Sequence, residues 1–284
     1  MSNAITRGFV TTPVGQIHYR EAKPADAAGA PPVLFLHMTP GSSRTYADVL
    51  PPVAEAGYRA IAMDTMGYGD SDSLGEVRTM EEFAESVAWL LNALGIARAT
   101  IVGLSTGSII AAATAIDFPS RVSRLVLCEP GRFNTPDRQE RGYIGGRWEG
   151  DAEGEALAVR WRQISGGFGG RLTTEQAFVL YVDSLRSGAH QREAYHALVH
   201  YELIDNLPSI AAPTLLLTGE HSTREEPIAT FLDGIAGSTH EVVPDAANAP
   251  PLEQPAAVAS MLTTWLARTP ELAAGASGGT GVPA

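Results

Sequence analysis

Ser105 is the residue of this chain best placed to do chemistry. It sits at the centre of Gly103-Leu104-Ser105-Thr106-Gly107, a G-x-S-x-G run. ATIVGL (99–104) before it is an apolar segment of strand length, and STGSIIAAATAIDF (105–118) after it reads as a helix. A serine on so tight a strand-to-helix turn has its hydroxyl lifted clear of the sheet. Glycines two residues to either side let strand and helix approach closely, and the helix N-terminus can stabilise developing negative charge. A serine hydroxyl is nevertheless a poor nucleophile at neutral pH unless a base takes its proton. Seven histidines could in principle supply that base.

Several of them read as bystanders. His18 lies in an early strand and His240 opens the last one, so both are expected to be structural or exposed. His196 and His200 are four apart on a helical stretch, a spacing that can chelate zinc. No third ligand or HExxH motif accompanies them, so a solvated or packing face is expected and no metal. No P-loop appears, and no G-x-G-x-x-G follows a strand, so no cofactor is expected either.

The elements that must position Ser105 alternate short β-rich runs with helical patterns, which predicts a mostly parallel sheet covered by helices. Residues 7–21 read as two strands about the Pro13–Gly15 turn, and PVLFLH (32–37) as a central strand buried on both faces. Ser42 to Glu55 reads as a helix ended by Gly57, and YRAIAMD (58–64) as the next strand. Thr79 and Glu82 have capping-box spacing at the head of an amphipathic helix, and VSRLVLCE (122–129) is a further strand. The alternation then stops. Residues 131–208 carry glycine clusters at 142–146 and 166–170 and helical stretches at 153–164, 173–186 and 190–204, which fits an inserted helical cap. Gly166–Gly170 reads either as a lid hinge or as an ordinary loop. TLLLTGE (214–220), a helix at about 225–235, HEVVP (240–244) and a helix at 253–267 complete an eight-stranded α/β core made of 1–130 and 209–268. The tail, 269–284, is rich in Gly, Ala and Pro and is expected to be disordered.

Bulk properties narrow the partners. A formal charge of −12 and the lack of any basic stripe argue against a nucleic-acid surface. The longest apolar stretches, near 98–116 and 212–218, are too short or too polar to span a bilayer. Cys128 is the single cysteine, so no internal disulfide can form, and a soluble, cytoplasmic protein is expected. The expected partner is a small-molecule substrate, with a homodimer left open.

LFLHMTPGSS (34–43), AMDTMGYGDSD (62–72), VGLSTGS (102–108), PTLLLTGE (213–220) and PPLEQPAAV (250–258) together carry a resemblance. The chain is similar to the α/β-hydrolase superfamily, in its capped, serine-nucleophile branch of esterases, C–C hydrolases and lactonases, from about residue 7 to 267. The resemblance implies that Ser105 is the nucleophile and that the backbone N–H groups of Thr106 and Thr39 form the oxyanion hole. It places His37 and Met38 beside that hole, with Met38 where the family usually has glycine. It also implies that cap aromatics, Trp148 and Trp161 among them, set the substrate pocket or pack the cap against the core.

The resemblance fails where the triad should be completed. The family's base is a histidine in G-H-x-x-x-x-E-x-P; here the stretch reads Ala247-Asn248-Ala249-Pro250-Pro251-Leu252-Glu253-Gln254-Pro255, with Asn248 in its place. Asparagine cannot act as a general base, though it can hydrogen-bond a substrate. The usual acid position, after the strand at 214–218, holds Ser222. Some relatives place the acid directly after the strand that follows the elbow helix, and Glu129 fits that alternative or else is a structural carboxylate. His221 lies in the loop that usually carries the acid and is the leading substitute base; His37 is a weaker one. Three readings follow. Ser105 serves a hydrolase of small esters, lactones or diketones with a rearranged base; or the scaffold runs a lyase, isomerase or cyclase reaction; or it binds a ligand without turnover.

Overall fold

The structure is a computed structural model and describes residues 4–73, 79–131, 151–188 and 191–272. Its sheet has the order β1-β2-β4-β3-β5-β6-β7-β8. The strands are β1 (Thr6–Thr12), β2 (Gly15–Ala22), β3 (Pro32–Leu36), β4 (Arg59–Met63), β5 (Ala99–Leu104), β6 (Val122–Cys128), β7 (Thr214–Gly219) and β8 (Thr239–Val243). β2 pairs antiparallel with β1 and β4, and every other pairing is parallel.

Side-chain alternation explains why the central strands are apolar throughout. On β3, Leu34 and Leu36 join one core cluster with Ile101, Leu125, Leu127 and Leu216. Val33 and Phe35 face the other way and join Val102, Leu104, Val126, Leu215 and Leu217. With both faces covered, neither set can be polar. The first cluster is closed by α2 (Met80–Ala93) and α3 (Thr106–Asp117), the second by α1 (Leu50–Glu55) and, at the C-terminal end, by the helix Pro255–Arg268. Each fully buried Leu, Ile, Val or Phe contributes about 1.5–3 kcal/mol, so the sheet is the rigid frame of the molecule. The Thr79–Glu82 capping box is present at the head of α2.

One element differs from expectation. The stretch 42–55 is not one helix but a 3-10 turn at Ser43–Tyr46 followed by the short α1. Pro51 and Pro52 are the cause. Proline has no N–H to donate and its ring clashes with the carbonyl four residues back, so it is tolerated in a first turn and not mid-helix.

Among the described residues between β6 and β7 are the α-helices α4 (Glu155–Ser165), α5 (Thr174–Ser187) and α6 (Gln191–His200). Trp161 of α4 meets Tyr181 of α5 edge-on, with ring centroids 5.5 Å apart. Trp148 and the 142–146 glycine cluster lie outside the described residues. α7 (Glu225–Gly234) follows β7, and α8 (Pro250–Glu253) precedes the last helix, α9 (Pro255–Arg268). The first residues of the tail pair with β6: Leu272 N–H donates to Ser123 O at 3.0 Å and Arg124 reaches Thr269 O and Glu271. The remainder of the tail lies outside the described residues. No helix among the described residues is long and apolar enough to cross a membrane.

Because β3 and β5–β8 run parallel, their carboxyl ends lie on one edge of the sheet. The loops that leave those ends gather the candidate residues, as in other open α/β sheets.

Candidate active site

Ser105 caps α3 with φ 52° and ψ −109°, a conformation costly for a residue with a Cβ. The turn is held by Ser105 N–H donating to Cys128 O at 2.9 Å, and by Ser108 Oγ, which donates to Gly103 O and Cys128 O. Gly107 is required sterically, since a Cβ there would lie 2.2 Å from Leu36 O. Thr106, the first residue of α3, has an N–H with no intrahelical acceptor, as at any helix start.

The loop after β3 brings Thr39 beside the elbow. Thr39 N–H donates to Thr106 Oγ1 at 3.4 Å in the structure. His37 fixes the peptide that carries it: its Nδ1 donates to Met38 O at 2.9 Å, and its Nε2 accepts from Thr65 N–H at 3.0 Å. The ring is therefore neutral with both nitrogens committed, and burial holds its pKa below the ordinary value. His37 braces the loop after β3, and neither ring nitrogen is left to take a proton from Ser105. Met38 is buried in the core cluster that contains Phe35 and Tyr46.

On the other side of the elbow, Glu129, Ser222, Arg224 and Asn248 form a connected set. Glu129, at the end of β6 with φ 49°, is fully buried. Its carboxylate accepts from Gly219 N–H at 2.7 Å and from Ser222 Oγ at 2.8 Å. Burial pushes its pKa up, and those two donors together with Arg224 pull against that shift. Ser222 Oγ in turn accepts from Arg224 N–H at 3.2 Å. Asn248 lies next to this loop, its Oδ1 3.4 Å from Thr223 N. What the loop presents is the Arg224 guanidinium. Its Nη1 donates to Glu129 O at 2.5 Å and its Nη2 to Ser105 Oγ at 3.3 Å.

His221 points elsewhere. Its side chain is 44% exposed and its Nε2 lies 3.9 Å from Asp245 Oδ1. Among the described residues, the side chain that reaches Ser105 Oγ is Arg224 and not His221. His18 is buried against Asp64 at 2.8 Å. Burial pushes the Asp64 carboxyl up, but His18 and the N–H groups of Ser43 and Asp70 prevail and hold it well below the usual carboxylate range. His240 Nε2 is bonded to Thr218 Oγ1, and the rings of His196 and His200 meet at a tilt of 49° on the exposed face of α6.

Arg224 was missed by sequence reasoning, although a signal existed. It is the one Lys or Arg between residues 209 and 267, in the loop where the family carries its acid.

The profile described as alpha/beta hydrolase fold matches residues 31–229, and the chain belongs to that family. Over 120 residues it is 38% identical to the 2-hydroxy-6-oxo-6-phenylhexa-2,4-dienoate hydrolase of Comamonas testosteroni, an alignment covering 40% of each protein. The chain spans less than half the length of the curated relatives it matches. A hydrolase from Pseudomonas aeruginosa PA01 superposes with a TM-score of 0.79 at 22% identity, covering 92% of this chain and 98% of that one. A thermophilic esterase from Thermogutta terrifontis superposes with a TM-score of 0.73 at 25% identity, covering 93% and 98%.

Proposed function

We infer that this chain is an enzyme acting on a small, mostly hydrophobic carbonyl compound held at the elbow. The carbonyl oxygen sits between the N–H groups of Thr106 and Thr39, and the Ser105 hydroxyl donates a hydrogen bond to it while keeping its proton. One observation carries this reading: the group on Ser105 Oγ is the guanidinium of Arg224. Arginine has five donors, no acceptor, and does not deprotonate in proteins. It can occupy a lone pair of the serine oxygen but cannot take the serine proton. The proton is then directed toward a ligand, and the cation makes Ser105 a better hydrogen-bond donor and a worse nucleophile. A site with this polarity favours reactions that need a polarised carbonyl and a stabilised enolate or oxyanion, as in a lyase, isomerase or cyclase.

Hydrolysis of an ester, lactone or C–C bond through Ser105 is the second reading. The buried, hydrogen-bonded Glu129 favours it, because an acid in that place suits a triad. It requires Arg224 to move aside and a base to enter. Turnover of a panel of small esters, lactones and diketones, followed by NMR, separates the two. The first reading expects rearranged, cyclised or eliminated products, slowed about 10²-fold in Ser105→Ala. Rapid release of carboxylic acid, with a burst of acyl-enzyme, selects the second.

A further inference from the structure

The oxyanion loop is bonded to the cap at both of its ends. At one end, Tyr195 of α6 donates its hydroxyl to Thr39 O at 3.0 Å, across 156 positions of sequence. The Thr39 side chain is hydrogen-bonded to the hydroxyl of buried Tyr68, which also bonds the main chain of Ala194, the neighbour of Tyr195 on α6. Thr39 is thus bracketed by two hydroxyls that both lead to the same cap helix. At the other end, Ser42 Oγ donates to Asp183 Oδ2 of α5 at 2.5 Å, and Arg44 Nη1 donates to Asp183 Oδ1 at 2.8 Å. Asp183 is fully buried, and Arg186, one turn on, pairs with Asp70 of the core.

These contacts differ from ordinary cap packing in where they land. They hold Thr39, whose N–H is the proposed oxyanion donor, and the residues that follow it within one turn of chain. A buried carboxylate such as Asp183 is tolerated only with its partners in place, so α5 and the 42–44 segment are ordered together.

We propose that α5 and α6 of the cap position the oxyanion loop, with Tyr195 as the positioning residue for Thr39. Docking of the cap and assembly of the oxyanion hole are then one event: a ligand that draws the cap down also completes its own binding site. This rests on Thr39 being an oxyanion donor, and the test below separates the two claims.

The test is hydrogen–deuterium exchange of the full chain, read on the segment 37–44, in wild type, Tyr195→Phe and Tyr181→Phe. Phenylalanine keeps the ring and removes only the hydroxyl. Tyr181 is the control, because its hydroxyl bonds Leu157 O inside the cap. Tyr195→Phe should exchange the loop about 5- to 10-fold faster, the effect of one lost hydrogen bond, while α5 and the thermal midpoint stay as in wild type. Tyr181→Phe should leave the loop unchanged. A loop in Tyr195→Phe indistinguishable from wild type would overturn the proposal. So would equal acceleration along α5 and α6, which would make the hydroxyl a cap anchor only. The carbonyl stretch of bound acetophenone provides the second readout. Wild type should lower its frequency, and Tyr195→Phe should lower it less. No lowering in wild type would sink Thr39 as a carbonyl donor while leaving the loop–cap coupling to stand or fall on the exchange result.

Discussion

The two halves of the site obey different rules. On the ends of β3 and β5, Ser105 and Thr106 sit on a strained elbow beside Thr39, in a loop braced by His37. On the ends of β6, β7 and β8, three residues form a connected set. Ser222 ties Glu129 to the Arg224 main chain, Asn248 lies against the neighbouring Thr223 N–H, and Arg224 reaches Ser105. In the proposed function the first half supplies hydrogen-bond donors to a carbonyl oxygen. The second half supplies a donor, Arg224 Nη2, to the serine oxygen. On the proposed reading, the contact from Arg224 makes Ser105 a hydrogen-bond donor to the ligand rather than a nucleophile.

Restoring the second half to the ordinary rule should have the largest effect. Replacing Arg224 with Ala and Asn248 with His removes the donor and adds a base. The rate of fluorophosphonate labelling at Ser105 should then rise by about 10²–10⁴, the usual worth of a positioned base. An unchanged rate would show that the two halves do not differ in the way described.

Breaking the first half should cost stability instead. Gly107→Ala drives a Cβ against Leu36 O in a backbone that has no room to shift. Chemical denaturation should show a loss of about 3 kcal/mol, and a loss below 1 kcal/mol would mean that the elbow is looser than its geometry implies. Ser222→Ala is smaller. It leaves the buried Glu129 oxygen without its hydroxyl partner and should destabilise by about 2 kcal/mol, with crystallography showing Arg224 displaced from Ser105.

The smallest effect is a pH slope. His37 is held neutral with its pKa depressed by burial, whereas the unfolded chain protonates it near the ordinary 6.5. Below that pH the unfolded state binds a proton that the folded state refuses, so stability falls as the pH drops. His196 and His240 shift in the same direction and contribute their own share. Thermal midpoints measured from pH 7.5 to 5 should fall less steeply in His37→Asn than in wild type.

How much of this was legible in the sequence differs between the halves for the same reason. The strands, the elbow and the capping box are local patterns: apolar runs, a G-x-S-x-G and a Thr79–Glu82 spacing, each dictated by backbone geometry over a few residues. Pro51 and Pro52 were also in view, and weighing them would have shortened the helix drawn from Ser42. Arg224 is another matter. Its meeting with Ser105 joins residues 119 apart, and nothing local to either predicts it. His221 was favoured for its loop position, but a loop position does not fix where a side chain points, and its ring faces Asp245. The Tyr195–Thr39 bond joins residues 156 apart and is invisible in the sequence for the same reason.

The central claim is that Ser105 donates a hydrogen bond and keeps its proton. Fluorophosphonate labelling of the wild-type protein tests this most directly, since the probe reports an activated serine whatever the natural substrate is. The account predicts labelling no faster than that of Ser105→Ala over hours at neutral pH. Rapid, stoichiometric modification of Ser105 would contradict it and make the chain a serine hydrolase with a base found elsewhere.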